Sequence, residues 1–171
     1  MVVICGEALI DRIVGGTDSP GGGPFNTARA VARLGTPTQF LGRLSTDAFG
    51  QQLRELLTAD GVDLAMTSVG PEPTTRAIAE VDASGHAAYR FVSNGTSAPN
   101  LTATMVPDSF GSDVGAIHVG TLGLVFEPIA TTIAALVDRE HAKRLIMVDP
   151  NIRPSAIDSQ YPSPSGGGQG G

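Results

Sequence analysis

The stretch "PGGGPFNTARAVARLG", Pro20 to Gly35, sets three consecutive glycines against a proline and then enters an alanine-rich helical pattern. Glycine loses more backbone freedom on ordering than any other residue, so three in succession signal unusual dihedrals or a close approach to the main chain. Pro24 suits a first helical position, and Thr27 to Leu34 carries Ala28, Val31, Ala32 and Leu34, enough for one buried side. The exposed amides at such a helix start suit a polar or anionic ligand. A flexible turn is the plain alternative, and this stretch alone leaves the two even.

Working outward, Val2 to Cys5 is a continuous apolar run closed by Gly6, the pattern of a strand buried on both faces of a parallel sheet. Cys5 reads there as a buried strand residue, not a reactive thiol. Thr38 to Leu44 is a second strand. Ser45 or Thr46 then caps a helix in which Phe49, Leu53, Leu56 and Leu57 share one face, ended by Gly61. Leu64 to Val69 returns as a strand. Thr74 to Val92 reads as two strands joined by the turn "DASG", with apolar content too thin for the centre of a sheet, hence a flap beside it. Ala116 to Val119, Pro128 to Glu140 and Leu145 to Val148 then alternate strand, helix, strand. The alternation predicts an α/β fold, a parallel sheet flanked by helices. From Ser155 the periodicity stops, and 155–171 is expected to be a disordered low-complexity tail.

Of the 171 residues 41% are hydrophobic, the net charge is -6, and the 11 Lys and Arg form no cluster. A nucleic-acid backbone and an anionic membrane surface are therefore poor partners. No apolar run approaches the roughly 20 residues of a bilayer span. The start has no basic leader, so a cytoplasmic protein is expected. His86, His118 and His141 are too scattered for a metal cluster, so no metal ligands are assigned. No Walker loop or nucleophile elbow occurs, and the dinucleotide fingerprint fails because position 26 is Asn.

Four features, "GEALIDRI", "GGGPFNTARAVARLG", "LGRLSTDAFGQQLRELLTADGV" and "VDPNIRP", together resemble the ribokinase-like (PfkB) carbohydrate kinases, most closely the fructokinases. The resemblance runs from Met1 to about Pro154. It implies a ribokinase-like sheet with a small β lid from about 10–16 and 74–93, and transfer of the ATP γ-phosphate to a sugar hydroxyl with Mg2+. It also implies a possible homodimer through the lid. Such kinases are roughly twice as long, and their Gly-Ala-Gly-Asp segment, which supplies the anion hole and the catalytic base, is not found here. The chain is therefore expected to be truncated before the C-terminal half, with no catalytic residue of its own and little of the ATP site. A non-catalytic sugar-binding or non-functional product is the alternative function, and 2-keto-3-deoxygluconate the alternative substrate.

Site residues follow from chemistry and resemblance together. Asp11, just past the first strand's carboxyl end, can accept hydrogen bonds from two neighbouring hydroxyls, or be a solvated loop acid. Gly22 and Gly23 let backbone approach a polyol. Asn26 offers a donor and an acceptor, or caps its own helix. The resemblance favours sugar contact for Asp11 and Asn26, and Phe25 stands where many relatives carry something smaller, which is expected to reshape the pocket. In "DPNIRP", Asp149, Asn151 and Arg153 form either a phosphate or metal-water shell or an ordinary turn.

Overall fold

The computed structural model describes residues 1–81, 87–152 and 156–157. In chain order the strands and helices are β1 (Val2–Cys5), β2 (Leu9–Ile13), β3 (Asp18–Gly21), α1 (Gly23–Arg33), β4 (Thr38–Leu41), β5 (Arg43–Ser45), α2 (Ala48–Ala59), β6 (Ser68–Gly70), β7 (Arg76–Val81), β8 (Ala87–Val92), β9 (Ala116–Gly120), α3 (Ile129–Glu140) and β10 (Leu145–Asp149). Four of the strands make a parallel sheet in the order β10-β9-β1-β4. It is the α/β architecture that the alternation of buried runs predicts.

The central strands β1 and β9 are apolar at every position but His118 of β9, which is itself buried, because both faces of the sheet are covered. Val3 and Cys5 point with Ile117 and Val119 into a core closed by Ile129, Ile133 and Leu136 of α3. Ile4 and Phe40 point the other way, into a second core with Phe25 and Ala28 of α1 and Leu53 and Leu57 of α2. Burial pushes the Cys5 thiol up to about 12, with Glu7 adding to the effect, so it stays a neutral packing group. Beyond Pro154, Ala156 and Ile157 form a helical turn, and Ala156 is fully buried in the first core.

A second sheet, β3-β2-β7-β8, stands beside the first. β7 and β8 pair antiparallel from Arg76 with Val92 to Val81 with Ala87, as a hairpin requires. The expected "DASG" turn lies outside the described residues. β2 pairs antiparallel with β3 and parallel with β7, so the segment around Asp11 is a strand and not a loop past β1.

Three local expectations shift. The run from Thr38 to Leu44 breaks at Gly42, where a Cβ would meet the Phe40 ring at 2.6 Å and the Gly6 carbonyl at 2.8 Å. Beyond the break, β5 leaves the main sheet to pair with β6. Of the expected strand from Leu64 to Val69 only Ser68 and Val69 form, within β6. Asp63 turns the chain before it, accepting from the Ala65 N–H at 2.9 Å and the Gln39 amide at 2.7 Å. The cap of α2 is Asp47: its Oδ1 accepts from the Gly50 N–H at 2.8 Å, while Ser45 only supports it by accepting from the Asp47 N–H.

Candidate functional site

The carboxyl ends of β1, β9 and β10 open into one cavity of about 480 Å³, a volume in the range of small-molecule sites. Glu7 follows β1, Thr121 and Leu122 follow β9, and Asn151 follows β10. This is the edge at which open α/β sheets bind ligands. Gly22, Gly23 and Asn26 form the adjoining wall at the start of α1. The second sheet makes the facing wall through Leu9, Asp11, Arg12 and Ile13 of β2, with Ala77 and Ala79 of β7 and Phe91 of β8. Two alanines there leave room that larger side chains would fill.

Each glycine of the triple has its own reason. A Cβ on Gly21 would lie 2.0 Å from Asp11 Oδ2, one on Gly22 would lie 2.8 Å from the Glu7 carbonyl oxygen, and one on Gly23 would lie 2.2 Å from Thr121 Oγ1. Gly22 also sits at φ 107, where side chains are strained. The turn is glycine-rich because three parts of the cavity wall press on it.

Gly22 precedes α1 without any side chain of its own to cap the helix. The first free N–H, that of Gly23, instead donates to Glu7 Oε1 at 3.2 Å. Glu7 Oε2 accepts from the Gly123 N–H at 2.9 Å. Glu7 is only 2% exposed. Burial pushes its carboxyl up to about 7, against the opposing pull of the backbone N–H groups of Glu7, Gly123, Gly23 and Leu122. Thr121 adopts φ 56, in the left-handed region, and its buried hydroxyl has no hydrogen-bond partner among the described residues.

A family model for the pfkB family of carbohydrate kinases matches residues 6–164. The chain belongs to that family. Among curated relatives, a fructokinase of Rhizobium leguminosarum bv. trifolii is 40% identical over 165 residues, covering 92% of this chain and 50% of the relative. The fructokinase of Xylella fastidiosa, solved with bound ATP, superposes with a TM-score of 0.82 at 25% identity over 98% of this chain and 55% of that one. A Vibrio cholerae fructokinase, solved with fructose, ADP and calcium ion, gives a TM-score of 0.76 at 27% identity, covering 93% and 53%. This pfkB chain thus spans about half the length of the curated relatives it matches.

Of the residues singled out by sequence in this pfkB chain, Asp11, Gly22, Gly23, Asn26 and Asn151 line the same cavity. Asn26 is exposed toward it and not turned into the core. Asp149, although in register with Gly120 at the end of β10, does not line the cavity. Arg153 lies outside the described residues. Phe25, expected to shape the pocket, is fully buried in the α1–α2 core, because the first turn of the helix aims it at the sheet and away from the glycine wall. Sequence reasoning missed Glu7 and Thr121. Glu7 had a signal, an acid set in the otherwise apolar "VVICGEALI", whereas nothing marks Thr121 for a left-handed backbone. Among the described residues no group of three or more His, Cys, Asp or Glu is placed to hold a metal, and no helix is long and apolar enough to cross a membrane.

Proposed function

We propose that this chain forms the sugar-binding part of a fructokinase-type kinase, and that the cavity takes a ketohexose such as fructose. The observation that carries the reading is the convergence of Asp11, Gly22, Gly23 and Asn26 on one cavity at the carboxyl edge of the parallel sheet. In this reading the Asp11 carboxylate accepts from two neighbouring sugar hydroxyls, Asn26 both donates and accepts, and the glycine turn lets the ring lie against the main chain. The second sheet acts as the lid, with Leu9, Ala77 and Phe91 excluding water from the apolar face of the sugar. Pairing of two copies through this lid is consistent with Ile13 and Val14, which are 53% and 60% exposed at its rim.

Phosphoryl transfer rests on positioning and charge stabilisation. Toward a magnesium nucleotide the described residues offer one exposed carboxylate, Asp149, and Asn151, and no gathered metal site. They do not fit ATP and Mg2+ by themselves, so the nucleotide and the base that accepts the sugar proton are assigned to residues outside this set.

Calorimetry of the chain with fructose, ribose, 2-keto-3-deoxygluconate and a nucleoside, run beside a coupled ADP-release assay, tests the reading. Fructose is expected to bind most tightly, with no turnover. Sustained ADP release by this chain alone would overturn the division of labour, and tighter binding of 2-keto-3-deoxygluconate would move the substrate to that acid.

A further inference from the structure

Glu7 joins two segments distant in sequence. Its two carboxylate oxygens accept from the first N–H of α1 at Gly23 and from the N–H of Gly123 in the turn after β9. Between those anchors the Thr121 hydroxyl is pressed against Gly23, on a left-handed backbone that a β-branched residue does not hold unaided. Such strain persists only where the surroundings over-determine it, and a carboxylate gripping both sides of the contact does so.

We infer that Glu7 is a positioning residue whose ionised carboxylate clamps the glycine turn to the turn at 121–124 and so holds the cavity floor in its ligand-binding shape. With the sugar as ligand this rests on the function proposed above. An ionised carboxylate accepts at both oxygens, but a protonated one turns an acceptor into a donor and lets go of one turn. Burial brings that change near neutrality, at about 7. Among the described residues, the ionisable groups around it do not supply a competing switch. On β1, Cys5 stays neutral. On β2, Asp11 stands across the cavity and Arg12 is held by Asp18. On β9, His118 feels the charge of Asp149. The turn at 121–124 and the start of α1 from Gly22 to Thr27 carry no ionisable side chain.

The test uses the whole chain, wild type and Glu7→Gln, with D-fructose as the probe from pH 6 to 8.5. Fructose affinity is expected to rise about five- to tenfold with pH in the wild type, through a single midpoint near neutrality. The Glu7→Gln variant is expected to bind weakly and without that pH dependence. Amide NMR of the ligand-free wild type supplies a readout independent of sugar and of the variant's folding: the Gly23 and Gly123 N–H signals should titrate with one shared midpoint. A wild-type affinity that is flat with pH, or two amides without a common midpoint, overturns the inference. If fructose binds at no pH while the two amides titrate together, the sugar reading fails and the clamp stands.

Discussion

Replacing Gly21 by alanine separates stability from binding at this site. Gly21 lies in β3 opposite Leu9 and diagonal to Asp11 on the same face. Its added Cβ would lie 2.0 Å from Asp11 Oδ2 and 2.9 Å from Asp11 Cγ, and at an ordinary 3.4 Å from Leu9 Cδ1. The obstruction is thus the carboxylate end of one exposed side chain, which has to retreat by more than an ångström to restore contact distance. The fold should tolerate this with a loss below about 1 kcal/mol, within the range of substitutions that leave the core intact. Sugar recognition should not tolerate it. Hydrogen bonds to a charged acceptor contribute about 1.5–3 kcal/mol each, and a displacement of this size breaks their geometry. Fructose affinity should therefore fall about 10- to 100-fold, or about 1.4–2.8 kcal/mol. Calorimetric titration with fructose, paired with urea unfolding of the same preparations, reads both quantities. If Gly21→Ala binds fructose as the wild type does, or loses binding only in proportion to lost stability, Asp11 is not the sugar anchor.

The pH dependence of stability isolates Glu7. Burial raises its folded carboxyl to about 7 from the ordinary 4.5. The contribution is therefore fully present below pH 4.5 and lost as pH rises through 7, on the order of 3 kcal/mol in all. His118, whose imidazole burial lowers despite Asp149, works in the opposite sense below its ordinary 6.5. The window from 6.5 to about 7.5 thus belongs to Glu7, and there the urea midpoint should fall with pH in the wild type and stay level in Glu7→Gln. Gly22→Ala forces a side chain onto φ 107 and against the Glu7 carbonyl, and should cost about 2–4 kcal/mol by urea unfolding; a loss under 0.5 kcal/mol, roughly the effect of a surface change, would contradict that geometry. Asp47→Ala removes the α2 cap together with the 2.8 Å bond from the Thr74 N–H and the 2.6 Å bond from its hydroxyl. It should lower stability by about 2 kcal/mol, more than Ser45→Ala, and the reverse order would return the cap to Ser45.

How far the sequence carried depends on whether one segment could report its own environment. The buried runs of β1 and β9, broken only by His118, and the helical spacing of Ile129, Ile133 and Leu136 state their packing locally, since a strand covered on both faces is mostly apolar. The break at Gly42 is not legible locally, because one of the two groups that crowd it is the Gly6 carbonyl 36 positions earlier in the chain. The cap of α2 falls one or two residues past the expected Ser45 or Thr46 because Ser45, Thr46 and Asp47 all carry capping oxygens, and Thr74 selects among them from across the fold. The same rule divides the site. Asp11 and Asn26 are candidates by residue chemistry and by the family resemblance together, and both line the cavity, whereas Glu7 and Thr121 acquire their meaning only when the ends of β1 and β9 meet at the glycine turn.

That meeting explains why glycine fills three adjacent positions there. A ligand resting on the main chain would require at most the glycines it touches. Here Gly21 yields to a carboxylate from the second sheet, Gly22 to the backbone after β1, and Gly23 to a hydroxyl after β9. The turn is the point where the second sheet, the glycine wall and the floor of the cavity come into contact. A side chain at any of the three would move a different wall, which is why the shape of this cavity depends on all three glycines at once.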